Sequence, residues 1–456
     1  MPAATVDSPR VPDDESHSWG IEPVPNRLRV LGGFDTGLLW ANLGVSLLVV
    51  VLGAVLVPAL SLPNAMLAIL VGSTLGCAML GAAAGIGAQA RVPAMVLLRA
   101  PLGEQGSFVA TAINVVQTLG WTVFELLVIA TAAAALSDEL FGFEARWAWT
   151  LAFGALALAL GLAGPVGFVR RYVRPIAVWV VPVALAYLVW WTLDGADLGA
   201  RWDRPGEGGL TTWQGADFVV AITVSWIPLA ADYTRFSRTP RAALWGAGAG
   251  YMVPNVLLLT LGAILFLSRD LASSAAIPAA VAAGGLVALL ALLALTVAET
   301  DDAFANAYSA AVSLQNLFPE LPIRLLVTFT TAIGTLGALT IELTSYQSFL
   351  LLLGSFFVPL FGVLLAHWLV NGRRYTYQDI FGAPAWRPGM IAAWAAGFAL
   401  YQWLFPTGPS WWVEQVERFD PPAWDIGATV PSFAVAFTIA ALAALVQRRF
   451  SPATAV

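Results

Sequence analysis

The chain has 456 residues, of which 59% are hydrophobic and only 11% charged, with a formal net charge of −6. Soluble domains carry about 25% charged residues, so this composition excludes a soluble enzyme of this size. Repeated apolar runs, long enough to cross a hydrocarbon core of roughly 30 Å, predict an all-α polytopic membrane protein; the alternating pattern of an outer-membrane barrel is absent.

Residues 1–30 are polar and proline-rich, with no apolar core or cleavage pattern, and read as a cytoplasmic tail and not a signal peptide. Twelve apolar segments follow. They run at about 36–60, 63–88, 105–136, 146–168, 174–193 and 214–234, then 244–268, 284–314, 323–341, 346–370, 388–405 and 429–447. Residues 451–456 read as a second cytoplasmic tail. With the N-terminus inside, the inner segments hold Arg27, Arg29, Arg91, Arg99, Arg170, Arg171, Arg174, Arg235, Arg238, Arg241, Arg324, Arg373, Arg374, Arg387, Arg448 and Arg449. The outer loops hold only Arg146, Arg201, Arg204, Arg269 and Arg418, mixed with acids. The positive-inside rule therefore predicts a cell-membrane protein with both termini cytoplasmic.

The single cysteine, Cys77, permits no intramolecular disulfide and no cysteine metal site. His17 lies in the polar leader and His367 at the end of span 10, so no histidine cluster arises either. Span 2, "GSTLGCAMLGAAAGIGAQA", spaces Gly72/Gly76 and Gly81/Gly85 four residues apart, a small face suited to close helix packing in lipid.

Four places break the apolar pattern at membrane depth. Span 1 carries Asn42, Gly44 and Ser46 in "WANLGVS"; span 3 carries Trp121 and Glu125 on one face in "GWTVFE". Span 6 has Ser225, Trp226 and then Pro228, which removes a backbone hydrogen bond and kinks or breaks the helix. Span 8 contains "AETDDAFANAY". Its Val297, Thr300 and Asp301 share one face, with oxygen ligands suited to a hard cation. Glu299, Asp302 and Asn306 share another. A charge at the bilayer centre costs several kcal/mol, so such acids face a cavity or a partner. If spans 1–5 and 6–10 are halves of opposite topology, the interrupted spans 1 and 6 correspond, as at the midplane site of many transporters. Trp121 beside the acceptor Glu125 suits a flat ligand bearing N–H donors.

At these residues the sequence resembles the nucleobase:cation symporter-1 family of cytosine, purine, allantoin and hydantoin permeases. The resemblance runs from "LLWANLGVS" to "LAHWLVNGRRYTYQDIF", and its most specific pieces are "GWTVFE", "SWIPLAADYTRFSR" and "NAYSAAVSLQNLFP". It implies twelve spans, ten of them in a leucine-transporter-like five-plus-five inverted repeat with broken helices 1 and 6. The core would span 31–372, with repeats at about 36–193 and 214–370, and two further helices would lie within 373–450. It implies a substrate site of Trp121 and Trp226 as ring-stacking plates, with Glu125, Asn306 and Ser46, to which the reading of the span 6 break adds Ser225. It implies a cation site of Asn42, Val45, Val297, Thr300 and Asp301; the polar "TSYQSF" of span 10 reads as a gate at Ser345 and Gln347.

Three departures from the family pattern stand out, one of them His367 in span 10, where relatives often carry an acid. A hydroxyl of the cation site is replaced by Asp301, which suits Na⁺ or H⁺, and a glutamine is replaced by Glu125. A carboxylate only accepts, favouring cytosine, adenine or an aminopyrimidine over a carbonyl-rich ring. The roles of Glu299, Asp302 and His367 stay open, with Glu299 the weakest candidate of the cluster. The expected partners are a small nucleobase-like substrate and the lipid bilayer, with no nucleic acid, no obligate protein partner and no cofactor beyond the coupling cation. Two alternatives remain: an amino-acid permease of the same fold, and an intramembrane enzyme using Glu299, Asp301 and Asp302, against which stands the lack of a buried His or Cys near those acids.

Overall fold

The computed structural model describes residues 19–194, 196–341 and 346–450, with the side chains of 346–348 and 450 excepted. The expected gate residue Ser345, the side chain of Gln347, and tail residues 1–18 and 451–456 lie outside the described residues.

The described chain is helical, and the β pairing recorded in it is an isolated bridge between Leu31 and Ser237. The main helices are α1 Gly33–Asn42, α2 Leu47–Val55, α3 Leu62–Ala90, α4 Glu104–Phe141, α5 Arg146–Phe168, α6 Val178–Leu193, α7 Thr212–Val224 and α8 Ile227–Thr234. They continue with α9 Pro240–Ser268, α10 Leu286–Ala298, α11 Thr300–Leu317, α12 Ile323–Thr340, α13 Tyr346–Val370, α14 Pro388–Leu404 and α15 Thr429–Phe450. Among the described residues, eight stretches are long and apolar enough to cross a membrane, and nine if α1 and α2 form one span.

That count differs from the twelve expected segments for identifiable reasons. No loop separates segments 4 and 5: a nine-residue π-helical turn, Val169–Ala177, joins α5 to α6. A straight helix of the combined 48 residues, Arg146–Leu193, would be about 72 Å long, more than twice a bilayer core. The stretch is not straight, because Gly164, inside α5, leaves the helical region at φ 69° and Pro165 follows it. Segment 8 is not continuous, since α10 ends at Ala298 and α11 starts at Thr300. Segment 11 gives the 17-residue α14, short of a full span by length alone.

The break in span 1 is sharp. Helices α1 and α2 meet at 63° across residues 43–46. Ser46 is extended (φ −132°, ψ 134°) and caps α2 by accepting the Val49 N–H through its hydroxyl. Span 6 is interrupted between Val224 and Ile227, where the Trp226 N–H bonds three residues back to Thr223 instead of four. Pro228 supplies no N–H to continue the ladder.

Helix α9 is the spine that holds both halves of span 1. A Cβ on Gly262 would lie 1.8 Å from the Val50 carbonyl oxygen, and one on Gly53 2.0 Å from that of Leu259. Only backbone-to-backbone contact fits there. Glycines of α3 do similar work: Gly72 and Gly76 lie against Ala216 and Thr223 of α7, Gly81 against Leu244 of α9.

Part of the segment expected as a tail packs on this bundle. Val24 and Leu28 are buried, and the Val24 N–H bonds to the Arg91 carbonyl at 2.9 Å. The buried Arg235 donates to the Gly20 carbonyl at 2.8 Å, and Arg29 donates to the carbonyls of Ser237 and Ala88.

Candidate functional site

Broken helices leave backbone groups unpaired, and these breaks converge. Ser46, Trp121, Glu125, Ser225, Trp226 and Asn306, drawn from spans 1, 3, 6 and 8, line a single cavity together with Tyr251 and Asp302. Its volume is about 30 Å³, room for roughly two waters, so a planar ring enters only if the walls move.

Its aromatic walls are braced by neighbouring rings. Trp226 meets Trp40 edge-on with ring centroids 6.0 Å apart, and Tyr251 at the same distance with a 56° tilt. Trp121 packs edge-on against Phe349 at 5.8 Å and Phe124 at 6.4 Å. The Trp121 indole N–H is buried and has no hydrogen-bond partner. Gln117, one turn before Trp121, donates to the Ser225 carbonyl at 2.8 Å and so ties span 3 to the break of span 6. Asn306 donates from its amide to the Asp302 carbonyl at 3.0 Å.

The acids form one group. Carboxylate oxygens of Glu125, Glu299 and Asp302 lie within 4.8 Å of one another, and all three side chains are buried. Two negative charges at that separation repel by roughly 3–4 kcal/mol at an effective dielectric of about 20. The set therefore demands a counter-charge: a proton, an inorganic cation or a cationic ligand. Glu299, the weakest of the sequence candidates, is the best satisfied. It accepts from the Ser46 hydroxyl at 2.7 Å, from the Leu48 N–H at 3.2 Å and from the Leu47 N–H. Those donors are the orphan groups at the start of α2, where a carboxylate also meets the positive end of the helix dipole. The interrupted span 8 thus caps the interrupted span 1.

The residues expected at a cation lie beside this group. Asp301 accepts from the Asn42 amide, while its other oxygen and the Thr300 hydroxyl are buried without a partner. The Asn42 carbonyl takes the Val45 N–H at 3.0 Å, which occupies one of its lone pairs. The Val297 side chain is 38% exposed and points away from the core, leaving only its carbonyl to serve an ion. Asn42 and Val45 also border a second, apolar cleft of about 530 Å³ with Val181, Leu185 and Pro254. His367 stands apart. Its Nδ1 lies 2.8 Å from the Tyr375 hydroxyl, whose burial pushes its ionisation well above the ordinary range.

Sequence reasoning missed Trp40 behind Trp226, Tyr251 beside it, Gln117, and the place of Asp302 in the cavity wall. Gln117 carried a signal, a polar side chain one turn before Trp121 on the same helix face. Trp40 and Tyr251 carried none, since aromatics in apolar helices are ordinary packing.

Comparison with known proteins agrees with this architecture. A family model described as a permease for cytosine/purines, uracil, thiamine and allantoin matches residues 23–417. Hydantoin permease of Microbacterium maritypicum is 24% identical over 386 residues, covering 77% of this chain and 76% of that protein. Cytosine permease of Escherichia coli strain K12 is 27% identical over 187 residues, 41% of this chain and 43% of that one. The structure of the nucleobase-cation-symport-1 transporter Mhp1, closed with bromovinylhydantoin bound, superposes with a TM-score of 0.76 at 20% identity, covering 94% of this chain and 95% of that one. A Na⁺-coupled sialic acid symporter superposes at 0.55 and 11% identity over 93% of this chain and 90% of that one. At these identities the likeness establishes a shared transporter fold.

Proposed function

The chain belongs to the family of permeases for cytosine/purines, uracil, thiamine and allantoin, a multi-pass membrane permease and not an enzyme, and from that premise we propose that it is a secondary active symporter importing a nucleobase or related planar heterocycle with a cation. The carrying observation is that Ser46, Trp121, Glu125, Ser225, Trp226 and Asn306, from four spans, meet in one cavity beside the break of span 1.

In this reading Trp121 and Trp226 stack the ring, a contact worth roughly 1–3 kcal/mol per base in nucleic-acid binders. Glu125 and Asn306 read its polar edge, and Ser46 and Ser225 complete the wall. Asn42, Val45, Val297, Thr300 and Asp301 hold Na⁺ or carry a proton, and the two unpartnered oxygens at Thr300 and Asp301 support that assignment. Cation binding favours the outward-open state; rocking of one bundle against the other then opens the site inward. The arrangement proposed is twelve spans with a five-plus-five inverted repeat in 31–372, two further helices in 373–450, both termini cytoplasmic in the cell membrane, and a gate at Ser345 and Gln347. An amino-acid ligand fits poorly, because its carboxylate would face Glu125 and Asp302.

The test is uptake of labelled cytosine into proteoliposomes, with Na⁺ and pH gradients imposed separately and adenine, uracil, allantoin, hydantoin and a hydroxymethylpyrimidine as competitors. Uptake driven by one gradient and blocked by a subset of rings is expected. No uptake and no competition by any heterocycle would overturn the reading.

A further inference from the structure

Of the three clustered carboxylates, Glu299 is already met by three neutral donors of span 1. Glu125 meets none of those donors and hydrogen-bonds only to the Glu299 carboxyl, and Asp302 meets none of them either. Glu125 is 4% exposed and Asp302 1%, and Glu125 Oε2 and Asp302 Oδ1 each lack any hydrogen-bond partner. Both residues line the cavity walled by Trp121 and Trp226. A buried acceptor left bare costs about 1–3 kcal/mol, more when charged, so a ligand that fills this cavity is under strong pressure to donate to both.

A neutral ring donating N–H bonds would satisfy the lone pairs and leave the negative charge to be answered by a proton. A carbonyl-rich ring would add repulsion. An inorganic cation would answer the charge and leave the aromatic faces unused, although indole faces attract cations themselves. One chemistry meets every surface at once: a flat group with a delocalised positive charge and parallel N–H donors, which pairs with carboxylates in a fork.

We propose that this cavity takes its substrate as a planar cation, an amidinium-bearing aryl or heterocyclic group whose N–H donors are held by Glu125 and Asp302 while Trp121 and Trp226 cover its faces. The proposal rests on the reading of the cavity as the permease's substrate site. It replaces a preference for many N–H donors with a requirement for charge.

The experiment compares benzamidine, a fixed planar cation, with benzamide, its neutral isostere, as ligands of the purified full-length protein, read from the thermal-unfolding midpoint as each is titrated. Benzamidine is expected to half-saturate at a concentration at least about tenfold below benzamide, the scale of one charge-assisted hydrogen-bond pair. Glu125→Gln and Asp302→Asn are each expected to erase most of that difference. Because the discrimination is measured on the unsubstituted chain, a variant that misfolds does not decide the matter. Equal effects of the two ligands overturn the proposal. If cytosine raises the midpoint and loses that effect in Trp121→Ala while benzamidine matches benzamide, the cation requirement falls and the symporter reading stands. If no ring moves the midpoint, both fall. A shift produced by an inorganic cation, abolished by Glu125→Gln and unaccompanied by any benzamidine effect, would replace the proposal with a metal site.

Discussion

Ser46 donates a 2.7 Å hydrogen bond to Glu299 across 253 residues of sequence, and with it the break of span 1 is fastened to the break of span 8. Neither residue is stable at membrane depth alone. The carboxylate needs donors, and the first amides of α2 need an acceptor, so each answers the cost of the other.

Removing this acceptor should therefore act on stability before transport. Glu299→Ala strands the N–H groups of Leu47 and Leu48 and the Ser46 hydroxyl, at about 1–3 kcal/mol for each unsatisfied group. A loss of roughly 3 kcal/mol or more is expected, with Glu299→Gln intermediate because one acceptor oxygen survives. Unfolding midpoints of the purified variants check this; an unchanged midpoint for Glu299→Ala would show that the cap carries no weight.

The cation assignment makes a separate prediction. Asp301 is held by Asn42 and keeps a bare oxygen next to the bare Thr300 hydroxyl. Asp301→Ala is expected to abolish the response of uptake to the driving gradient, while a ring ligand still shifts the midpoint at saturating concentration. Retention of full gradient dependence in Asp301→Ala would move the cation elsewhere.

Stacking should be separable from bracing. Trp121→Ala removes a ring face and is expected to weaken ligand binding by 1–3 kcal/mol, roughly 5- to 150-fold, with Trp121→Phe recovering most of it. Both changes to alanine should cost stability as well, because Trp40 and Tyr251 pack against Trp226 and Phe349 and Phe124 against Trp121. Competition binding alongside the unfolding midpoint distinguishes the two effects. Equal and purely structural losses at both positions would argue against a sandwich.

Close approach of α9 to span 1 predicts an asymmetry among glycines. Gly262→Ala drives a methyl to 1.8 Å from a backbone oxygen that cannot turn aside, so loss of folded protein is expected. Gly37→Ala, within α1 and with nothing within 4 Å of its added methyl, should be neutral or stabilising by up to about 1 kcal/mol. Folded yield by size-exclusion chromatography of both variants tests the pair; a well-folded Gly262→Ala protein would contradict the packing described.

Composition and hydropathy by themselves determined that the chain crosses a membrane repeatedly, because no other environment tolerates so few charges over so many apolar runs. Helical spacing grouped Glu299 with Asp302 and Thr300 with Asp301, a proline marked where span 6 loses regular helix, and Asn42, Gly44 and Ser46 marked the interruption of span 1. Spacing reports which side chains share a face and is silent about what that face meets. That Asp302 looks into the ring cavity, that Glu299 reaches the amides of α2, and that segments 4 and 5 join through a π-helical turn were decided by tertiary structure. The physical reason lies in backbone contacts such as Gly53 on Leu259 and Gly262 on Val50: they fix how far and at what angle helices cross, and only that geometry turns a row of buried acids into partners for particular donors.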